Sequence, residues 1–335
     1  MSSCATSAPK TRGNLLTVFG PFLVLVFVTV LFAGLLAWRD AEGLKAFFSL
    51  INVKTVLTQT VIIAIGSLGM TLIIVSGGID LSVGSAIALT SVLGAVLLRE
   101  ALGAAVATLA TVLAGGVIGA MNGGLIAAFR MTPFIVTLGM LGAARGLAKW
   151  LAGNQTVNSP LIPESSIATL MKDPDPLGFM PPAGVAIAIA LAVVMAVVMR
   201  QTVFGRYIFA IGSNEATARL CGIRVRLMKV IIYTLAGLLF GLAGVLQLSR
   251  LRQGDPTAAA GLELDMIAAV VIGGASLSGG TGSILGSMIG ALTMAVLRTG
   301  SQYMDWPNYM QEIIIGVLII LAVGLDRLRQ SRARI

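Results

Sequence analysis

The chain has 335 residues, of which 57% are hydrophobic and only 11% charged, and its net charge is +9. A soluble domain carries about 25% charged residues, so this chain cannot cover itself with polar surface and lipid must be its solvent. The lack of histidine excludes His-based acid–base catalysis, Ser-His-Asp triads and His metal sites, and the positive charge suits a basic face against anionic lipid, not nucleic acid.

Backbone groups in lipid must be satisfied within the element, which leaves helix bundles or closed barrels. The long charge-free runs favour an all-α transmembrane bundle, since a barrel shows short alternating strands. The 40 glycines suit close helix–helix approach and helices broken near a transport path.

A crossing helix needs about 20 apolar residues. The chain starts polar, with Lys10 and Arg12, and then runs apolar over 13–38. That run is too long for a signal-peptide core and shows no obvious cleavage site, so it is taken as a retained first span. The next spans are 55–79 and 81–98, with Asp80 alone between them, then 101–129, and 133–151 with Arg145 and Lys149 near its far end. Residues 183–199 and 230–249 give two more. The run 266–297 is too long for one crossing, and its glycine-rich segment 273–282 splits it into the eighth and ninth spans. Residues 309–324, introduced by Pro307, give the tenth.

Ten spans put both termini on one side. With that side cytoplasmic, 13 of the 23 Lys and Arg fall inside, among them Lys10, Arg12, Arg130 and the cluster over 200–229, as the positive-inside rule requires. Residues 154–182 are then an external, proline-rich loop and 200–229 a basic cytoplasmic one. Neither is long enough to be a domain, so 1–335 is expected to form one transmembrane domain. The two cysteines, Cys4 and Cys221, both fall inside and are expected as free thiols. Trp38, Trp150, Tyr303, Trp306 and Tyr309 stand at span ends, as an aromatic belt does.

Asp80 is the sharpest single residue. An ionisable group in an apolar stretch costs about 2.5–3.5 kcal/mol on insertion scales and marks function by default. It either lines a pathway or gate, or caps the helix that follows by accepting from orphan backbone N–H groups. A fixed carboxylate repels anions, whereas neutral polyols are compatible with it. Gln59, Thr71, Asn122, Thr132, Thr137 and Gln247 are polar positions within spans, suited either to a hydroxylated solute or to bonding helix to helix. Residues 77–85 and 273–280 form a faint internal repeat, Gly-Gly followed by Leu-Ser. No G-x-x-x-x-G-K-[ST] occurs, and Gly279-Gly280-Thr281-Gly282-Ser283 lacks the lysine, so it reads as a helix break. If ATP drives this protein, another chain must hydrolyse it. In the cytoplasmic loop, residues 212–220 can form a short amphipathic helix with Asn214 as its cap.

Several blocks together resemble the ribose/sugar-type permeases of ATP-binding-cassette (ABC) transporters. They are Gly78-Ile79-Asp80-Leu81-Ser82-Val83-Gly84-Ser85; Asn122-Gly123, then Pro133-Phe134-Ile135-Val136-Thr137-Leu138-Gly139 and Arg145-Gly146; Gly205-Arg206, Ala210-Ile211-Gly212, Asn214 and Gly222-Ile223; and Gly261-Leu262-Glu263-Leu264-Asp265 and Ile267-Ala268-Ala269 with Gly273-Gly274-Ala275-Ser276-Leu277-Ser278-Gly279-Gly280-Thr281-Gly282. They keep family order from about 55 to 326. The resemblance implies the membrane-spanning subunit of an ATP-driven importer for a ribose- or xylose-like monosaccharide in a bacterial inner membrane. No cofactor, metal or catalytic residue is implied. It implies a pathway carried by Asp80, Ser82, Asn122, Thr137 and Ser276. ATPase coupling would fall to Gly205, Arg206, Gly212, Asn214, Glu215 and Gly222. The implied partners are a cytoplasmic ABC ATPase, a periplasmic sugar-binding protein and a second permease chain, identical or related. One departure is Thr299-Gly300, where the family often has Asn-Gly.

Two other classes share this composition. A branched-chain amino-acid ABC permease has the same architecture in family terms, but the block at 78–85 fits the sugar branch better. An ion-coupled secondary transporter usually needs several intramembrane acids or a His relay, and on the spans above Asp80 is almost alone. An intramembrane enzyme lacks paired carboxylates, metal ligands or a nucleophile–base pair within the spans.

Overall fold

The apolar runs fold as helices up to the points where glycine-rich segments interrupt them. The computed structural model describes residues 14–39, 41–158, 161–175 and 178–333; Cys4, Lys10 and Arg12 lie outside the described residues. In chain order the helices are α1 (Asn14–Arg39), α2 (Ala41–Phe47), α3 (Leu50–Val75), α4 (Val83–Arg99), α5 (Ala104–Phe129), α6 (Pro133–Leu151) and α7 (Leu161–Glu164). They continue as α8 (Ala183–Gln201), α9 (Val203–Ser213), α10 (Glu215–Leu220), α11 (Val225–Leu251), α12 (Leu262–Ile272), α13 (Ile284–Tyr303) and α14 (Asn308–Ala333).

Among the described residues, seven helices are long and apolar enough to cross a membrane: α1, α3, α5, α6, α8, α11 and α13. The other three expected spans fall on shorter apolar stretches. These are α4 with 17 residues, α12 with 11, and the Asn308–Leu321 part of α14. At 1.5 Å per residue α4 reaches about 26 Å and α12 about 17 Å, short of a hydrocarbon core of about 30 Å. The reason is local. Irregular segments, 76–82 before α4 and 273–283 after α12, take up chain that ten regular spans would have placed in helix. The first turns of these two helices abut: a Cβ on Gly84 would lie 2.5 Å from the Ala259 carbonyl oxygen and overlap the Glu263 carboxylate.

α3 is the central helix, buried at every residue from 60 to 75. Its Thr71 hydroxyl donates to Ser67 O at 2.6 Å and lies 2.8 Å from the Ser287 hydroxyl of α13. α5 and α11 form the closest seam, glycine on glycine. A methyl at Gly115 would overlap the Gly237 carbonyl, and one at Gly119 the Tyr233 carbonyl. Small residues spaced by four let two backbones touch, which is how helices associate where lipid gives no hydrophobic drive. Phe27, Leu109, Val193 and Ile320 point outward and exposed, as side chains facing acyl chains must.

The loop between α6 and α8 is tied down. Val157 pairs with Gly254 in an isolated antiparallel bridge, and buried Lys54 meets Asp173 at 3.1 Å. Trp38 and Trp150 are exposed at helix ends, as belt residues are. Tyr303 and Trp306 also stand at helix ends and are half-buried, because Phe47 of α2 and Phe32 of α1 pack against them. Their rings pack at 5.7 Å from Phe47 and 5.7 Å from Phe32, respectively.

Candidate functional site

α3 ends in a glycine turn. Gly77 takes φ +84°, and Gly78 N–H donates to Ile73 O at 2.9 Å, which satisfies carbonyls a helix end leaves open. The chain then runs irregularly to Ser82, carrying Asp80. The Asp80 carboxylate is 1% exposed and already well supplied with donors. Its Oδ1 accepts from Ser82 N–H at 2.8 Å and from the Ser82 hydroxyl at 2.6 Å. Its Oδ2 accepts from Asn122 Nδ2 of α5 at 3.3 Å. Asn122 also donates to Ser82 Oγ at 3.0 Å, and Thr137 of α6 donates to the Ile79 carbonyl at 3.2 Å.

Four of the expected pathway residues, Asp80, Ser82, Asn122 and Thr137, thus form one knot that ties α4, α5 and α6 to the break. The fifth, Ser276, is 3% exposed and sits in the second break. There its backbone closes a turn, with Gly279 N–H to Ser276 O at 3.0 Å and Ser276 N–H to Thr281 O at 3.2 Å. In the knot two polar atoms, Asn122 Oδ1 and Tyr233 Oη, are buried without a partner. The Tyr233 hydroxyl lies where a Cβ on Gly78 would be 2.5 Å away.

The two breaks touch, and α9 touches both. Gly280 N–H donates to Val75 O at 2.9 Å. Gly212, in the last turn of α9, fits between them: a methyl there would overlap the Val75 carbonyl and lie 2.6 Å from Gly280 N. The loop that carries Gly212 is built for rigidity. The Thr202 hydroxyl caps α9 from Gly205 N–H at 3.2 Å, and Asn214 Oδ1 caps α10 from Thr217 N–H at 3.0 Å. The expected short helix is therefore present, although Gly212 and Ser213 belong to α9. Gly222, at φ +84°, ends α10, with Ile223 N–H closing onto Ala218 O at 3.1 Å. Glu215 accepts from Arg219 at 2.9 Å and Lys229 at 2.7 Å. Burial alone would raise its pKa, but the Lys229 hydrogen bond and the Lys229 and Arg219 charges outweigh that and hold the carboxyl below its ordinary value. Arg206 and Cys221 are exposed on this surface.

Asp80 is not the lone buried acid among the described residues. Asp265 lies inside α12, 0% exposed, and its Oδ2 meets Arg298 Nε of α13 at 2.7 Å. The expected eighth span starts at the next residue, 266. The signal was available, since a charged residue near a span needs a partner, and Arg298 stands near the end of the run 266–297. Arg145 was also unassigned in detail. Its guanidinium holds the 252–261 segment through the carbonyls of Pro256 at 2.9 Å and Ala258 at 2.7 Å.

Apolar crossings, two glycine breaks in contact, and polar side chains buried beside them make up a multi-pass membrane transport protein of the permease kind. The chain belongs to the family described as branched-chain amino acid transport system / permease component, whose model matches residues 52–323. It is 40% identical over 284 residues to the ribose import permease protein of Escherichia coli strain K12, covering 85% of this chain and 88% of that one. It is 34% identical over 310 residues to the fructose import permease protein of Rhizobium meliloti, covering 92% and 84%. With the L-arabinose ABC transporter permease protein of Azospirillum brasilense it shares 32% identity over 334 residues, covering 98% and 94%. No solved structure matches the chain.

Proposed function

We propose that this chain is the membrane-spanning permease subunit of an ATP-driven importer for a monosaccharide, seated in a bacterial inner membrane with both termini cytoplasmic. Whole-chain likeness to permeases named for ribose, fructose and arabinose supports the substrate class. The observation that carries the mechanism is Gly212, in contact with both helix breaks at once. An ATPase docked on the 200–229 loop would move α9 and α10, and α9 would move the ends of α3 and α12 with it. The two breaks are then the bistable element between inward- and outward-open states. ATP acts through its different affinity for those two states. A second permease chain completes the path, and a periplasmic binding protein delivers the sugar. The chain itself makes and breaks no covalent bond, and residues 1–335 work as one domain.

The test is uptake into vesicles holding this chain, with and without its ATPase and binding protein, using ribose, arabinose, fructose and leucine in turn. Uptake of a sugar that needs ATP and both partners is the expected result. Leucine uptake alone would establish the second reading, which the family's description favours. Uptake by the chain alone on an ion gradient would overturn both.

A further inference from the structure

Among the described residues two carboxylates keep a buried oxygen without a partner, Glu263 and Asp265, and Asp80 is not one of them. Asp80 accepts three hydrogen bonds within its knot. Asp265 is as deeply buried, yet only its Oδ2 is held, by Arg298, while its Oδ1 has no partner. A buried acceptor left open is unfavourable unless another donor reaches it. Asp265 lines a cavity of about 420 Å³ between α12, α13 and α14, beneath the α13–α14 turn, together with Gly261, Arg298, Asn308, Gln311 and Glu312. That volume falls within the range of small-molecule sites, about 300–1,000 Å³. α14 otherwise turns apolar residues outward, with Ile313 58% and Ile320 72% exposed, but its Gln311 is 4% exposed and belongs to the cavity wall.

We propose that this cavity is a station for the transported sugar, in which Arg298, Asn308 and Gln311 donate to hydroxyl oxygens and Glu312 accepts from a hydroxyl, while Asp265 holds Arg298 in place. The chemistry selects a neutral polyol. Each hydroxyl both donates and accepts, and the wall offers both kinds of partner. The guanidinium has five donors, of which Nε and Nη2 are turned to Asp265, leaving others for the ligand. The Asp265–Arg298 pair is neutral together and Glu312 leaves the wall net negative, so the cavity repels an anion. The cavity adjoins Gly261, the N-terminal flank of α12, so its occupant touches the helix that leads directly to the second break. This assignment rests on the sugar-import reading above and gives that reading a binding position.

The experiment uses vesicles with the full chain, its ATPase and its binding protein, and whichever of ribose, arabinose or fructose the wild type carries. Asp265→Asn and Gln311→Leu are compared with wild type in sugar moved per ATP hydrolysed and in protein inserted. Both variants are expected to move at least tenfold less sugar per ATP, with binding-protein-stimulated hydrolysis within twofold of wild type. A purely structural role would lower insertion and hydrolysis together and leave their ratio to transport unchanged. Gln311→Leu keeps the ion pair, so it decides alone if Asp265→Asn fails to insert. A wild-type ratio in Gln311→Leu overturns the station while leaving the import reading intact. No ATP-dependent sugar uptake by the wild type overturns both.

Discussion

Gly280 donates its N–H to the carbonyl of Val75 at 2.9 Å, so the second helix break is hydrogen-bonded to the end of α3, where the first begins. Both residues lie against Gly212 of α9. Three stretches far apart in sequence therefore share one backbone junction with no side chain between them. A junction made of backbone transmits a push with little slack, because interiors are close-packed.

Gly212→Ala puts a methyl into the Val75 carbonyl. Overpacking of this kind costs about 1–3 kcal/mol, and here it also separates the two breaks. The expected outcome is a lower unfolding temperature in detergent and uptake reduced at least tenfold, with ATP hydrolysis retained. Gly124→Ala is the control, since a Cβ there meets nothing within 4 Å, and it should behave as wild type. Equal uptake by the two variants would remove the junction from the coupling route.

Glu215 joins α10 to α11 through Lys229. Glu215→Arg replaces the acceptor with a third cation beside Arg219 and Lys229, so α10 should lose its seat on α11. The protein still inserts, since the residue lies outside the spans, but ATP hydrolysis no longer drives uptake. Unchanged uptake would show that this loop does not couple.

The same carboxyl sets a pH dependence. Its pKa is depressed from the ordinary 4.5, so its contribution to folding is fully present above that value and fades as the pH falls through the lower folded value. The side chain is 41% exposed, and the pair is therefore weakened by solvent and salt. Thermal stability of wild type and Glu215→Gln, compared from pH 7 down to pH 3, should converge at the acid end. A gap that is constant with pH would mean that the ion pair contributes nothing through its charge.

The helices, the glycine breaks and the Asn214 cap were legible in the sequence because each depends on local pattern: charge-free length, Gly-Gly, and a capping residue before Glu215. The knot at Asp80 was half legible. The residue stood out as a charge in an apolar run, but its partners Asn122 and Thr137 come from α5 and α6, and no local signal pairs them with it. Asp265 was hidden by a boundary. A span that starts one residue later leaves a buried helical acid looking like a loop residue, and only its contact with Arg298, 33 residues on, brings it back. The junction at Gly212 was invisible for a different reason. Glycine carries no side-chain chemistry, and its meaning there lies in what the fold brings against it.

In the Asp80 knot, the Asp80–Asn122 contact joins the first break to α5 at 3.3 Å. Asn122→Ala removes one donor from Asp80 and one from Ser82 and should destabilise the protein by about 1–3 kcal/mol, the range for a buried acceptor left unsatisfied. Asp80→Asn leaves Ser82 and Asn122 an amide in place of the charge and should cost a similar amount. Because both changes act on one network, the double variant should lose less than the sum, with an interaction of about 0.5–3 kcal/mol. Additive losses in thermal unfolding would show that the two residues stabilise independently.

The α5–α11 seam gives a prediction that does not depend on transport at all. Gly119 faces the backbone of α11 so closely that any Cβ would overlap the Tyr233 carbonyl. α11 cannot move aside freely, because its Phe240 is 1% exposed and a Cβ on Gly69 of α3 would lie 2.7 Å from that ring. Gly119→Val must therefore spread α5 from α11, and the shift carries Asn122, one turn further along α5, away from Asp80. The expected loss exceeds the 1–3 kcal/mol typical of overpacking, because packing at the seam and hydrogen bonds in the knot fail together. Yield of folded protein in membranes and its unfolding temperature should both fall below those of Asn122→Ala. If Gly119→Val is the milder of the two, the seam yields without disturbing the knot, and the breaks are held by α4 and α6 instead.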